Sequence, residues 1–127
     1  MIYVLDTHVL IWYFTGSKRL KIEIKEKMDG VWNKGGRLLV PTIVLAEALA
    51  VAEKGKVDFD FKMMYQLIKS EEDFEVVSFS SEILEEAMET KIPEIHDRII
   101  VATAKFYGAG ILTKDKIIIE SGEVETK

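Results

Sequence analysis

The sequence begins Met-Ile-Tyr-Val-Leu-Asp-Thr-His (residues 1–8), and this stretch decides the fold. The run Ile2–Leu5 is short, continuous and apolar, which is typical of a strand buried on both faces in a parallel sheet. It stops abruptly at Asp6, followed by Thr7 and His8. Because open parallel sheets bind ligands beyond the carboxyl ends of their strands, Asp6 is a candidate for chemistry. The alternative is that Asp6 or Thr7 only caps the helix that follows.

The composition is that of a soluble globular domain. The chain has 127 residues, of which 48% are hydrophobic and 31% charged, so we predict one domain over residues 1–127. There is no cysteine, which excludes disulfides, thiolate metal sites and cysteine nucleophiles. No apolar run approaches the ~18 residues that cross a membrane, and no signal-like segment opens the chain. These features predict a cytoplasmic protein without membrane association.

The net charge limits the ways in which the chain could bind nucleic acid. A formal charge of −5 disfavours binding by bulk electrostatics alone. It does not exclude an enzyme that acts on nucleic acid, because a carboxylate cluster that binds metal makes its own negative contribution.

Apolar strands alternate with helical segments along the chain. We predict strands at 2–5, 38–40, 74–77 and 111–113, with a final edge strand from 117–119 and 124–125. Helices are predicted at 8–14, 20–32, 42–53, 58–68, 80–89 and 99–107. This alternation predicts a three-layer α/β/α sandwich with a mostly parallel sheet of four or five strands. Right-handed crossovers would place the carboxyl ends of the strands along one edge.

Four acidic residues are expected to converge at that edge. Asp6 and Asp115 each follow a strand, and Glu47 is the one charged residue in 38–52, on a helix apolar enough to be buried. A buried charge needs a partner or a metal. Asp97 lies near a helix start, where stabilisation by the helix dipole is the structural alternative.

Convergent carboxylates favour a metal site. They repel one another and lose hydration on burial, so their pKa values rise unless a cation neutralises them. Oxygen ligands without cysteine favour Mg²⁺ or Mn²⁺, and such a metal can activate water for in-line attack on a phosphodiester. A phosphotransfer domain with Asp6 as nucleophile is the competing enzyme class. Such phosphatases typically carry a second Asp two residues later, where this chain has His8.

Four segments also carry a family resemblance. They are Tyr-Val-Leu-Asp-Thr-His-Val-Leu-Ile-Trp (3–12), Pro-Thr-Ile-Val-Leu-Ala-Glu (41–47), Ile-His-Asp-Arg-Ile-Ile-Val-Ala-Thr-Ala (95–104) and Leu-Thr-Lys-Asp-Lys (112–116). In this order they resemble the four motifs of PIN-domain proteins, most of all the VapC-type toxins of prokaryotic toxin–antitoxin pairs. The resemblance spans almost the whole chain and covers every acidic position singled out above.

The resemblance implies a Mg²⁺- or Mn²⁺-dependent endoribonuclease, usually a homodimer, inhibited by a small antitoxin. A general RNA-processing PIN nuclease and an inactive PIN-like RNA-binding scaffold are the alternatives, and the complete acid set disfavours the scaffold. The positions that match the acidic metal site are Asp6, Glu47, Asp97 and Asp115. Supporting positions are Thr7 and Thr113 near the metal, Glu94 as a further acid, and Arg98, which could touch phosphate or pair with an acid.

Other side chains have weaker functional readings. His8 is a possible general base or a packing residue at the first helix, and His96 is expected to support Asp97. Trp12 and Tyr13 are expected in the core or a dimer interface rather than as a base-stacking platform. An antitoxin is expected in an apolar groove between the helices at 20–32 and 42–54, pushing a basic side chain towards the acids. The lysines considered for RNA-backbone contacts are Lys18, Lys21, Lys34, Lys54 and Lys56.

Overall fold

A parallel sheet of four strands forms the centre of the described part of the protein. The structure, a computed structural model, describes residues 1–126, with the backbone alone at position 32. The strands are β1 (Ile2–Leu5), β2 (Arg37–Pro41), β3 (Phe74–Val77) and β4 (Gly110–Leu112). The helices are α1 (Thr7–Thr15), α2 (Ile22–Gly30), α3 (Thr42–Lys54), α4 (Phe61–Ser70), α5 (Ser81–Met88), α6 (Ile95–Tyr107) and α7 (Lys116–Ser121), with a short 3-10 helix at Trp32–Lys34.

The strand order β3-β2-β1-β4 places β1 inside the sheet. Every strand pairing is parallel, and Val4 of β1 lies opposite Leu39 of β2 and Ile111 of β4. Val4 and Leu5 have no exposed surface, as expected for a strand covered on both faces. The strand order reverses at β1, so the carboxyl ends of β1 and β4 flank the switch point where open α/β sheets bind ligands. The predicted fold class is confirmed.

Helices cover the sheet in the manner of a doubly wound fold. The chain passes through α1 to α4 on its way from β1 to β3, and α5 and α6 carry it back to β4. Because parallel crossovers are right-handed, this reversal assigns the two groups of helices to opposite faces. The helix α6 packs against β1 and β4 and also meets α3 and α5. Its central turns are buried from Ile99 through Ala104, which is why this segment is rich in Ala, Ile and Val.

The predicted edge strand at residues 117–119 is wrong, because these isoleucines lie in α7. The side chain of Asp115 accepts a hydrogen bond from the backbone N–H of Ile117 (2.8 Å) and caps the helix. Gly122 ends it in the left-handed conformation, with φ of 67°. Beyond it, the N–H of Ile111 donates to the carbonyl of Glu125 (2.9 Å), and a single parallel bridge joins Ile111 to Thr126. The cap therefore overrides the strand preference of the β-branched run.

The helix α3 is less buried than its composition predicts. Val44, Leu45 and Ala48 are buried, whereas Ala46 and Leu49 are exposed, Leu49 by 41%. The expectation of a helix covered all round is therefore wrong, because α3 contacts its neighbours along one face only. Its other face is apolar surface.

Two helix starts differ from the predicted bounds for a shared reason. The α6 helix begins at Ile95 instead of residue 99, because Glu94 accepts a hydrogen bond from the N–H of Asp97 (2.8 Å). The α4 helix begins at Phe61, where Asp60 accepts from the N–H of Met63 (3.1 Å). In each case an acidic side chain satisfies a backbone donor of the first turn. Within residues 1–126, no helix is long and apolar enough to cross a membrane.

Candidate active site

Asp6 is the only acidic side chain that is buried among the described residues, with 7% of its surface exposed. Its Oδ1 accepts the backbone N–H of Thr7 (2.7 Å), and its Oδ2 accepts the hydroxyl of Thr113 (2.5 Å). Burial raises the pKa of Asp6 above 3.8, and these two hydrogen bonds oppose the rise. Each carboxylate oxygen has room for a second acceptor contact. Asp6 is thus held in place and still able to bind a cation.

Asp6 does cap the helix that follows it, as the alternative interpretation predicted. This capping role does not exclude a metal role. Asp6 caps α1 and Asp115 caps α7, each through one carboxylate oxygen. A cap of this kind contributes about 1 kcal/mol to stability. It also fixes the direction of the carboxylate, because the N–H it accepts belongs to a rigid first turn.

Thr113 connects the end of β4 to the end of β1. Its Oγ1 donates to Asp6 and accepts a hydrogen bond from the backbone N–H of Asp115 (2.9 Å), and the side chain is 2% exposed. A hydroxyl has one proton, so this proton is committed to Asp6. The predicted supporting position near the metal thus links two of the four acids.

Thr7 makes the corresponding link to α3. Its Oγ1 donates to Glu47 Oε1 (2.9 Å), and Thr7 itself is 6% exposed. Glu47 is partly buried, on the side of α3 that faces the sheet edge. The predicted supporting threonines therefore each bind one acidic side chain, and they do so from neighbouring strand ends.

Asp97 reaches the same cluster from the first turn of α6. The pKa of Asp97 is raised from 3.8 to about 6, first by burial and then by the negative charges of Asp115, Glu94, Asp6 and Glu47. The repulsion from Asp115 is the largest of these charge effects. Such repulsion is expected where several carboxylates share one site.

A cleft of about 270 Å³ contains all four acids, and we call it the acid cleft. The acid cleft lies beyond the carboxyl ends of β1 and β4. Lys54, the exposed last residue of α3, also lines it. The residues that line it are Asp6, Thr7, His8, Glu47, Ala50, Val51, Lys54, Asp97 and Asp115. The structure thus brings together the four acids that the sequence predicts.

The donor set of the acid cleft fits a hard divalent cation. Carboxylate oxygens are the ligands of Mg²⁺ and Mn²⁺, and Mg²⁺ needs only one or two of them besides water and substrate phosphate. Among the described residues, no three acidic or histidine side chains form a ready-made set that could hold a metal as they stand.

Glu94 and Arg98 do not line the acid cleft. Glu94 caps α6 and contacts His96 Nδ1 (2.8 Å), so it acts on the site through the position of Asp97. The guanidinium of Arg98 donates to the carbonyls of Ile92 (2.7 Å) and Pro93 (3.3 Å). Arg98 forms no ion pair with an acid among the described residues, because it turns towards these two carbonyls. Its guanidinium has further N–H donors, so the contact with phosphate stays a prediction.

A second cleft adjoins the acid cleft and contains residues that the sequence analysis missed. It has a volume of about 310 Å³, and we call it the tryptophan cleft. Its lining residues are Asp6, His8, Trp12, Arg19, Lys114 and Asp115. Trp12 also packs against the core, as predicted, but part of it reaches this surface. The sequence held one indication of this cleft: Lys114 lies between Thr113 and Asp115, directly after β4.

A third and larger cavity, about 550 Å³, lies beside α2, and we call it the lysine cavity. It is bounded by α2 and by the segment from β4 into α7, so it is not the groove predicted between residues 20–32 and 42–54. That groove stays a prediction. The lining residues of the lysine cavity are Lys21, Glu23, Ile24, Lys27, Thr113, Lys114, Lys116 and Ile119.

Fold and site together define a doubly wound α/β protein with a carboxylate cluster at the switch point of a parallel sheet. The family model described as PIN domain matches residues 3–123 of this chain. The chain belongs to the PIN-domain family. No curated protein matches it in sequence.

Solved structures share the fold at low sequence identity. VapBC2 from Rickettsia felis, bound to a DNA fragment from their promoter, matches with a TM-score of 0.76 at 18% identity over 100% of this chain and 98% of that chain. VapBC-1 from nontypeable Haemophilus influenzae matches with a TM-score of 0.70 at 18% identity, over 100% of this chain and 97% of that chain. FitAcB from Neisseria gonorrhoeae matches with a TM-score of 0.65 at 19% identity, over 99% of this chain and 96% of that chain. At such identities the likeness establishes the fold alone.

Proposed function

We propose that this protein is a Mg²⁺- or Mn²⁺-dependent endoribonuclease of the VapC type, the toxin of a type II toxin–antitoxin pair. The observation that carries the proposal is the convergence of Asp6, Glu47, Asp97 and Asp115 in one cleft at the switch point of the sheet. Neighbouring structures that contain VapBC complexes support the toxin assignment.

Each acid has a role that follows from its surroundings. Asp6, Asp97, Asp115 and Glu47 would hold the metal, which would supply an activated water and stabilisation of the leaving oxygen. Thr113 and Thr7 keep Asp6 and Glu47 in fixed orientations through their hydroxyl hydrogen bonds. The raised pKa of Asp97 favours its neutral form below about pH 6 when no cation is present. A cation of charge two would lower that pKa and restore the carboxylate as a ligand.

Cleavage by a metal site agrees better with these residues than phosphotransfer through Asp6. The hydrogen bonds that Asp6 accepts from Thr7 and Thr113, at 2.7 and 2.5 Å, leave each of its oxygens a lone pair for a cation. Three further acids line the same cleft, as a metal site requires. His8 stands where such phosphatases have their second Asp.

The test of the nuclease is a metal-dependent cleavage assay on structured RNA. Wild type, Asp6→Asn and Asp97→Asn are compared with Mg²⁺, with Mn²⁺ and with EDTA, and Asp58→Asn on the exposed surface is the matched control. We expect cleavage by wild type and the control with either metal, and none by the site variants or in EDTA. Equal cleavage by all proteins would identify a contaminant and overturn the site. Phosphate trapped on Asp6 would support phosphotransfer instead.

The partner assignment has its own test. We propose that the protein forms a homodimer and binds a small antitoxin, which pushes a basic side chain towards the acid cleft. Expression of the chain alone should arrest growth, and Asp6→Asn or co-expression of an adjoining small reading frame should relieve the arrest. Glu47→Lys should weaken antitoxin binding, and unchanged affinity would contradict the basic side chain. A gene without a neighbouring small reading frame would favour a general RNA-processing nuclease, and RNA binding without cleavage would favour the inactive scaffold.

A further inference from the structure

We propose that the tryptophan cleft is the subsite that holds single-stranded RNA beside the bond to be cut. In this arrangement an unpaired base stacks on Trp12, and the adjoining phosphate lies between Arg19 and Lys114. The inference rests on the proposed ribonuclease function and deepens it, because it names the form of RNA and the residues that position it.

The aromatic side of the cleft is a supported platform. The indole of Trp12 packs against the hydrophobic core and is partly exposed where it lines the cleft. The ring of His8 lies beside it, with centroids 5.5 Å apart and planes inclined by 45°. A base of any identity can stack on such a surface, since every base has a π face. The platform therefore predicts affinity for unpaired bases with little sequence preference.

The cleft also carries positive charge. Lys114 Nζ lies over the Trp12 ring, 5.7 Å from its centroid and 3.5 Å from the carbonyl oxygen of Arg19, so a base that stacks on this face would displace the ammonium towards the phosphate of the same nucleotide. Both Lys114 and Arg19 are exposed, and neither takes part in the four ion pairs of the described residues. A base on the indole would thus have two cationic side chains within reach of its phosphate. This is the combination that single-strand-binding proteins use.

The position of the tryptophan cleft connects it to the chemistry. Asp6, His8 and Asp115 line both this cleft and the acid cleft, so the two lie side by side. Lys114 also borders the lysine cavity, which adds Lys21, Lys27 and Lys116 against the single acid Glu23. On a chain with a net charge of −5, this local excess of cations is a marked departure from the average. It offers phosphates a path that ends at the carboxylates.

The geometry favours single strands over duplexes. Bases inside an A-form helix are already stacked on their neighbours and cannot reach an aromatic side chain, whereas bases in loops and ends can. Electrostatic contacts alone would accept both forms of RNA. Dependence of binding on Trp12 is therefore what separates this proposal from simple attraction of a polyanion.

The experiment measures equilibrium binding of labelled RNA in an Asp97→Asn background, which prevents cleavage. The probes are a single strand of about 12 nucleotides, an abasic strand of the same length, and a duplex of the same length. The variants are Trp12→Leu, Lys114→Gln and Arg19→Gln, and Lys62→Gln on the exposed face of α4 is the matched control. Trp12→Phe tests rescue by another ring, and melting curves report folding.

The expected results differ for the two sides of the cleft. Trp12→Leu should weaken binding of the normal single strand by about 5- to 150-fold and leave the abasic strand unchanged. Lys114→Gln and Arg19→Gln should weaken both strands and each lower the slope of log K against log salt by about 0.7. The duplex should bind more weakly than the single strand, and Lys62→Gln should behave as the unsubstituted background.

Several outcomes would overturn the subsite. Equal loss of normal and abasic strands in Trp12→Leu, or no loss in folded variants, would show that no base stacks there. Unchanged RNA binding together with a loss of dimer would assign the cleft to a contact between two copies. Metal-dependent cleavage with binding insensitive to these variants would remove the subsite and keep the nuclease. Binding that depends on Trp12 without any cleavage by the wild type would support the subsite and overturn the proposed nuclease.

Discussion

Thr113 donates its hydroxyl proton to Asp6 at 2.5 Å, across 107 positions of the sequence. The bond joins the ends of β4 and β1, two strands that pair directly in the sheet. Because the same hydroxyl accepts the N–H of Asp115 at 2.9 Å, one buried threonine sets the spacing of two proposed metal ligands. The small polar residue at the end of β4 is thus part of the carboxylate cluster.

Thr113→Val should weaken metal binding more than it weakens the fold. The change keeps the shape and removes the donor to Asp6, and loss of such a supporting contact typically reduces metal affinity about 10- to 100-fold. The free energy of unfolding should fall by about 1–3 kcal/mol, since the N–H of Asp115 loses its acceptor. Calorimetric titration with Mn²⁺ and urea unfolding measure the two effects.

Thr103→Val is the matched control for that change. Thr103 is 2% exposed and donates to the carbonyl of Ile99 (2.7 Å) inside α6. It should alter stability without altering Mn²⁺ affinity. Equal metal affinities of the two valine variants and wild type would show that the bond from Thr113 to Asp6 has no role at the site.

Asp97 should make the metal-free protein less stable as the pH rises. Its pKa is raised from 3.8 to about 6 in the folded state, so the folded state binds the proton more tightly than the unfolded state. The contribution of this group is fully present below about pH 4 and is lost as the pH rises through about 6. Asp97→Asn should therefore raise the free energy of unfolding near neutral pH by about 1 kcal/mol, a value reduced for solvent screening.

Urea unfolding with EDTA, for wild type and Asp97→Asn across this pH window, measures that difference. The difference between the two proteins should shrink towards the acidic end, where Asp97 is protonated in both states. Saturating Mg²⁺ should reverse its sign, because only the wild type gains the ligand. A difference that does not change with pH would contradict the raised pKa of Asp97.

Thr7 should act on catalysis through Glu47. Thr7→Val removes the hydroxyl that donates to Glu47 Oε1 at 2.9 Å, and Glu47→Gln removes the charge that the hydroxyl positions. If the threonine works by orienting this glutamate, the two changes together should cost little more than Glu47→Gln alone. The measurement is a double-mutant cycle on kcat/KM for RNA cleavage. Fully additive losses would show that Thr7 acts independently of Glu47.

Arg98→Gln should affect stability and leave activity unchanged. The guanidinium donates to the carbonyls of Ile92 and Pro93, and loss of these bonds should cost about 1–2 kcal/mol in the free energy of unfolding. Because no contact joins it to the acid cleft among the described residues, KM and the salt dependence of RNA binding should match wild type. A reduced salt slope in Arg98→Gln would support the phosphate contact that the sequence suggested.

Local patterns were sufficient where the segment lies in the core. The bounds of β1 and β3 agree with the runs at 2–5 and 74–77, and α3 differs from its predicted end by one residue. The same patterns failed at 117–119, where an isoleucine-rich run forms a helix because Asp115 caps it. They also failed for α3, whose outer face is apolar and exposed, because composition does not record which side meets a neighbour.

The hydrophobic pattern was enough to predict the parallel sheet and the edge at which four acids meet. Hydrophobic periodicity reports the burial of strands, and parallel topology brings their carboxyl ends together whatever the side chains do there. Only the tertiary structure decided which hydroxyl binds which acid, that Arg98 turns to backbone carbonyls, and that Trp12 reaches a cationic cleft beside Asp6. These depend on side-chain direction and on what packs opposite, and both arise from contacts between residues far apart in the chain.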